Sequence, residues 1–218
     1  MKLIAIAVVA RNSVIGDGDD QPFKFREDWA RFKKVTMGHP LIMGRKTHDA
    51  MGLLPGRCSI VITHDPDALS FPTGHDGRPR GIAVSTWDEA VAAAGGASRR
   101  DAAIPALNSS DIDSSASGGA APGGLRTPRA ADSPGAVPRE VGPDDAAGPA
   151  SSDEAYVIGG GQIYRMAWPH LDELDITEVH ADAQGSVLFP EIHVPEWQEI
   201  SREPRGEFDF VKYERTRG

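Results

Sequence analysis

Asp28 lies between Val14 and Thr36 at the start of a predicted helix, in a stretch otherwise rich in apolar residues. Pro22 holds the chain out of helical geometry just before it, so the helix is expected to open around Arg26 or Glu27. Asp28, Phe32 and Val35 recur at helical spacing, which places the carboxylate on a face that otherwise points into a core. A carboxylate there is costly without a partner, and its presence needs a reason. The competing reading is a solvated first-turn acid favoured by the helix dipole.

The second feature is a pair of strand-to-glycine-to-helix junctions, Ile42-Met43-Gly44-Arg45-Lys46-Thr47 and Val157-Ile158-Gly159-Gly160-Gly161-Gln162. Glycine lets a phosphate approach the backbone, and the free amides of a first helical turn together with the dipole favour an anion. Either junction alone also reads as an ordinary turn. Together they suggest a ligand with several phosphates. Neither matches the six-residue dinucleotide fingerprint or the P-loop. Arg45 and Lys46, with His64 just after a predicted strand, suit an extra phosphate and so NADP rather than NAD.

The elements that would position these residues alternate. Leu3 to Val9, Pro40 to Met43, Ser59 to Thr63, Gly81 to Val84, Ala155 to Ile158 and Glu173 to His180 read as strands. Helices are expected over Glu27 to Val35, over Lys46 to Met51, from Thr86 to an Ala-Gly-Gly ending, and over Gln162 to about Trp168. Trp197 to Glu203 and Phe208 to Tyr213 read as a hairpin across Pro204-Arg205-Gly206. The pattern predicts an α/β fold of three layers, a mostly parallel mixed sheet with an antiparallel C-terminal edge and helices on both faces.

From roughly Ala92 to Asp153 the composition shifts to Ala, Gly, Ser, Pro and Asp, with no aromatic residue between Trp87 and Tyr156. Such a segment cannot bury enough apolar surface to fold alone. We expect one domain over residues 1–218, interrupted at about 95–153 by a low-complexity, disordered insertion. The net charge of −9, with dispersed Lys and Arg, argues against nucleic acid or an anionic membrane as partner. The apolar N-terminal run, rich in β-branched residues and ending at Arg11-Asn12, reads as a buried strand rather than a secretory signal. Cys58 is the sole cysteine, which excludes an internal disulfide or a cysteine-rich metal site and points to a reducing cytoplasm; the residue itself is expected to be a small buried apolar group.

Five pieces in order make the chain resemble the dihydrofolate reductase family. They are Val14-Ile15-Gly16 through Pro22 to Asp28, Phe32 and Thr36; Ile42 to Thr47; Leu54-Pro55-Gly56-Arg57; Ile158 to Tyr164; and Thr177 followed by Phe189-Pro190. The resemblance implies NADPH-dependent reduction of 7,8-dihydrofolate to tetrahydrofolate by a monomeric cytoplasmic enzyme that holds no metal. It implies that Asp28, supported by the Thr177 hydroxyl, holds the pterin ring and stabilises the cationic character that develops as the ring nitrogen is protonated. Ile6, Val8, Trp29, Phe32 and Met51 would line the folate pocket, the carbonyls of Ile6 and Ile158 would meet the pterin, and Arg57 would grip the glutamate-tail carboxylate. Gly44, Arg45, Lys46 and Thr47 would form one phosphate turn, and Gly160, Gly161, Gln162 and Ile163 the pyrophosphate turn. Thr63 and His64 would flank the adenosine 2′-phosphate, and Ala7, Ile15 and Tyr164 the nicotinamide.

The chain departs from the family pattern at Gln21 and Phe23, where an apolar residue and Trp usually flank Pro22, at His48, where Trp is common, and at Ser186, where an acid often supports the closed loop. Phe23 has no N–H with which to hold a water beside the pterin. These changes bear on rate, loop closure and inhibitor sensitivity. Two other readings compete: a reductase of the same fold acting on a riboflavin-precursor pyrimidine, and a pterin or nucleotide binder that no longer turns over.

Overall fold

Lys2–Ala10 (β1) is β-branched and apolar on both sides, the signature of a strand covered on both faces, and it lies inside the sheet rather than at an edge. The computed structural model describes residues 1–18, 20–75, 77–101 and 153–216. One compact unit, Met1–Ala103 with Ala146–Gly218, contains all of them. The remaining elements are Val14–Gly16 (β2), Arg26–Thr36 (α1), Pro40–Gly44 (β3), Arg45–Met51 (α2), Cys58–Ile62 (β4), Gly81–Val84 (β5), Trp87–Asp101 (α3), Glu154–Gly159 (β6), Gly161–Ala167 (α4), Glu173–Val179 (β7), Val187–Leu188 (β8), Trp197–Pro204 (β9) and Phe208–Arg215 (β10).

The main sheet runs in the order β5-β4-β3-β6-β1-β7-β10-β9. All pairs from β5 to β7 are parallel, and the β7-β10 and β10-β9 pairs are antiparallel. Alternate side chains divide the core between the faces. On one face Ile4, Ile6, Leu41, Met43, Tyr156 and Ile158 pack with Phe32 and Val35 of α1 and Met51 of α2. On the other, Ala5, Ile42, Ile60, Val157, Leu174 and Ile176 pack with Trp87, Ala90 and Ala94 of α3 and Ile163, Tyr164 and Ala167 of α4. Each large side chain so buried contributes about 1.5–3 kcal/mol.

The chain leaves β3 toward β4 and β5 but leaves β6 toward β7, although β3 and β6 are neighbours. That reversal opens a crevice at the carboxyl ends of the two strands, where ligands settle in open α/β sheets. Both glycine junctions lie there.

Two expectations need correction, and one small sheet was not expected. The third helix does not stop at Ala-Gly-Gly but continues through Gly95 and Gly96 to Asp101, because two glycines weaken a helix without ending it when its Trp87, Ala90 and Ala94 face is anchored in the core. Cys58 is only half-buried, standing at the entrance of β4. The small β2-β8 sheet, pairing Val14 with Leu188, was absent from the sequence reading because strands of three and two residues carry no periodic signal. The expected insertion lies, from residue 102 to 152, outside the described residues.

Candidate active site

Asp28 stands in the first turn of α1, half-buried, and accepts a hydrogen bond from the Thr177 hydroxyl at 2.5 Å. Thr177 is 1% exposed and lies in register between Val8 of β1 and Phe210 of β10. Burial, the largest influence, pushes the Asp28 pKa above the usual carboxylate range. The Thr177 hydrogen bond and the Arg31 charge oppose that rise, and the Asp175 charge adds to it. The solvated first-turn reading of this acid therefore fails.

The structure brings together Ile6, Ile158, Phe32 and Met51 in one apolar cluster. Trp29 joins through an edge-to-face contact with Phe32, ring centres 5.8 Å apart. Val8 belongs instead to a neighbouring cluster with Val179, Phe208, Phe210, Phe23 and Phe25. The Ile6 carbonyl accepts a 2.7 Å hydrogen bond from the buried Tyr164 hydroxyl, leaving its second lone pair for a ligand. Ala7 and Ile15 pack against the opposite-face cluster that contains Tyr164.

Arg57 is 7% exposed, yet no described carboxylate pairs with it. Its Nε donates to the Pro55 carbonyl at 3.0 Å and its Nη1 to the Thr36 hydroxyl at 3.1 Å, while its guanidinium lies 5.9 Å from the Phe32 ring centre. Burial pulls its pKa down. A desolvated, unneutralised guanidinium with donors to spare is built to receive an anion.

The two glycine junctions abut. Met43 of β3 is in register with Gly159 of β6, and a methyl group on Gly44 would meet Ile163 Cγ1 at 3.0 Å. Methyl groups on Gly159 and Gly160 would lie 3.5 and 3.6 Å from the Thr47 hydroxyl. Gly159 has φ of +122°, a conformation that excludes side chains, and the Gly159–Gly160 peptide bond is cis. Neither Gly44 nor Gly160 supplies a side-chain cap to the first amides of α2 and α4, and in α4 the Ile163 amide already donates to the Gly160 carbonyl at 2.9 Å. Lys46, Gln162 and His64 are exposed, and Thr63 and His64 follow β4, the strand beside β3. Arg45 is engaged by Asp49 one turn along its own helix at 2.8 Å; an exposed pair of that kind is weak, about 0.3–0.5 kcal/mol, and yields readily to a phosphate.

The sequence pattern of the family described as dihydrofolate reductase matches residues 2–114 and 142–215. The chain belongs to the dihydrofolate reductase family. It is 29% identical over 220 residues to the dihydrofolate reductase HdrB of Haloferax volcanii, covering 99% of this chain and 84% of that one. It is also 29% identical over 207 residues to the dihydrofolate reductase of Neisseria gonorrhoeae, covering 94% of this chain and 89% of that one. A solved dihydrofolate reductase from Enterococcus faecalis, complexed with NADP(H) and RAB-propyl, superposes with a TM-score of 0.63 at 20% identity, over 99% of this chain and 97% of that one.

For a dihydrofolate reductase the unusual loop residues have definite places. Gln21 donates its side-chain amide to the Phe23 carbonyl at 2.9 Å, and Phe23 stacks on Phe25, ring centres 5.9 Å apart. The Ser186 hydroxyl donates to the Asp17 carbonyl at 3.3 Å, so a neutral residue still ties the two loops together. His48 sets its ring edge-on to Phe71 at 5.4 Å, and burial pulls its pKa down. Sequence reasoning missed Arg31 and Asp175, an ion pair beside Asp28. The signal was present: Glu173, Asp175 and Thr177 alternate with Leu174 and Ile176, which puts carboxylates on a face the fold buries.

Proposed function

We infer that this dihydrofolate reductase family member transfers a hydride from NADPH to 7,8-dihydrofolate, giving 5,6,7,8-tetrahydrofolate. The observation that carries this reading is the Asp28–Thr177 pair, half-buried carboxylate against buried hydroxyl, together with an apolar cluster and a buried guanidinium that has no carboxylate partner among the described residues. A pyrimidine substrate without a glutamate tail gives Arg57 nothing to hold, which disfavours the riboflavin-precursor alternative.

The residues present fit the cofactor. Uncapped helix starts at Gly44 and Gly160 and the Thr47 hydroxyl suit its phosphates, and Thr63, His64 and Lys46 suit the adenosine 2′-phosphate. NADPH supplies the hydride when bound. The chain does the rest. Asp28 accepts from the amino-pyrimidine edge of the pterin, and the Thr177 hydrogen bond holds one of its oxygens and leaves the other for the ring. Because burial raises the proton affinity of Asp28, the site favours the protonated state of the pterin that hydride addition requires, and water delivers that proton to the ring nitrogen. Ile6, Phe32, Met51 and Ile158 exclude bulk water, Trp29 and Val8 close the flanks, and Arg57 holds the tail carboxylate. Ala7, Ile15 and Tyr164 shape the wall against which hydride transfer is oriented.

We place the enzyme in the cytoplasm as a monomer serving one-carbon metabolism, with a single domain over residues 1–218 interrupted at about 95–153 by a low-complexity insertion. No helix among the described residues is long and apolar enough to cross a membrane. Purified protein is expected to consume NADPH only when dihydrofolate is added. Asp28→Asn should lose about 10²-fold or more of that rate at neutral pH while still binding NADPH. Full activity in the variant refutes the role given to Asp28. Tight ligand binding with no NADPH consumption by the parent protein supports the non-catalytic alternative.

A further inference from the structure

On α1, Asp28 and Arg31 are one turn apart; on β7, Thr177 and Asp175 are two residues apart and point to the same face. One helical step of three residues rises about 4.5 Å and one strand step of two about 6.6 Å, close enough for a two-by-two match. The structure makes both rungs: Thr177 donates to Asp28, and Arg31 Nη2 donates to Asp175. Asp175 is 2% exposed and Arg31 17%. Replacing a buried ion pair with packed apolar groups is often neutral or stabilising, so fold stability alone does not explain this one.

We propose that Arg31 and Asp175 are a positioning pair, two opposite charges alongside Asp28 that set the pH range over which Asp28 supports the reaction. This deepens the proposed reduction of dihydrofolate and rests on it.

The charged groups facing Asp28 from each element support the assignment. On α1, Glu27 is tied to Arg205 of the β9–β10 turn at 3.0 Å, which leaves Arg31 as the nearby cation. On β7, Glu173 is held by Lys2 at 2.5 Å and Lys212 at 3.2 Å, which leaves Asp175 as the nearby anion. From β10, Lys212 approaches Asp175 at 3.8 Å, and Phe210 lies beneath the Arg31 guanidinium at 4.5 Å. From β1, Ile6 and Val8 present no charge. From the preceding loop come Phe23 and Phe25, with Lys24 held by Asp20 at 2.7 Å. From α4 the Tyr164 hydroxyl is buried and bound to Ile6. Arg31 and Asp175 are thus the two charges that act on Asp28 at short range, with opposite signs. Their influences on the carboxylate oppose each other, and that of Arg31 is the larger.

The test is the pH profile of the hydride step, measured in single turnovers with enzyme and NADPH in excess. Arg31→Met leaves Asp175 uncompensated and makes the site more negative, so the protonated pterin that hydride addition requires should persist, and activity extend, to higher pH. Asp175→Asn leaves Arg31 uncompensated and should draw activity toward lower pH. The ratio of rates at alkaline and mildly acid pH is expected to change about five- to tenfold, in opposite directions for the two variants. Arg31→Lys keeps the charge and should restore the parent profile. The double variant Arg31→Met with Asp175→Leu removes both charges, should give a profile between those of the two single variants, and gives a readout if either single variant fails to fold. Shifts in the same direction, no shift, or an Arg31→Lys profile like that of Arg31→Met overturn the proposal. A parent protein with no dihydrofolate-dependent NADPH consumption overturns the proposed function instead.

Discussion

Asp28→Asn should separate activity from stability. Burial raises the carboxyl pKa in the folded protein above its value in the unfolded chain, about 3.9. Between those two values the folded state binds more protons than the unfolded one, so stability falls as pH rises through the window and stays reduced above it. At neutral pH the ionised Asp28 is therefore a net cost to the apo-protein. Asparagine keeps the shape, can accept the Thr177 hydroxyl, and removes the charge. The gain is limited because the substitution gives up the attraction to Arg31 and exchanges a charged acceptor of the Thr177 hydrogen bond for a neutral, weaker one. We expect the apo-variant to be more stable at pH 7.5 by about 1 kcal/mol, a rise of about 2–4 °C in Tm for a chain of this size. The difference should shrink as pH falls through the window and vanish below the unfolded pKa, where both side chains are neutral. Scanning calorimetry from acid to mildly alkaline pH measures it, alongside the rate loss. A variant less stable than the parent at pH 7.5 refutes the reasoning, because it means the ionised carboxylate stabilises the fold.

Arg57→Met should raise the dihydrofolate KM by about tenfold or more, from the loss of a charge-assisted contact, and leave the NADPH KM unchanged; a pteridine lacking the glutamate tail should show no difference between variant and parent. Gly159→Ala places a methyl group 3.5 Å from the Thr47 and Tyr164 hydroxyls at φ of +122°, and the backbone strain of about 1–3 kcal/mol should weaken NADPH binding about tenfold in a fluorescence titration. Replacing residues 103–151 with a short Gly/Ser linker should leave kcat/KM within about twofold of the parent, since no proposed site residue lies there and loop length alone costs little; a large loss would show that the segment packs on the domain or bridges to a partner. The family pattern omits residues 115–141, within that segment.

What the sequence made legible was whatever repeats with a period or punctuates one. Buried parallel strands announce themselves as continuous apolar runs, and Gly44 and Gly159 to Gly161 mark the ends of two of them, so the sheet and its two glycine junctions could be read directly. The β2-β8 pair was hidden because a handful of residues shows no period, and the end of α3 because propensity at Gly95 and Gly96 yields to burial of the turns before them. The ion pair beside Asp28 was hidden for a different reason. Its members are 144 residues apart in sequence, and no local rule connects a helix to the strand it will cover. Once β7 pairs between β1 and β10, however, its alternation allows few outcomes: Thr177, Asp175 and Glu173 must share the face under α1, and buried carboxylates on that face must find cations. Arg31, Lys212 and Lys2 supply them. Asp28 differs because the cation nearest to it is already committed to Asp175. The fold thus leaves one buried acid held by a neutral hydroxyl, and so able to accept a cationic ligand.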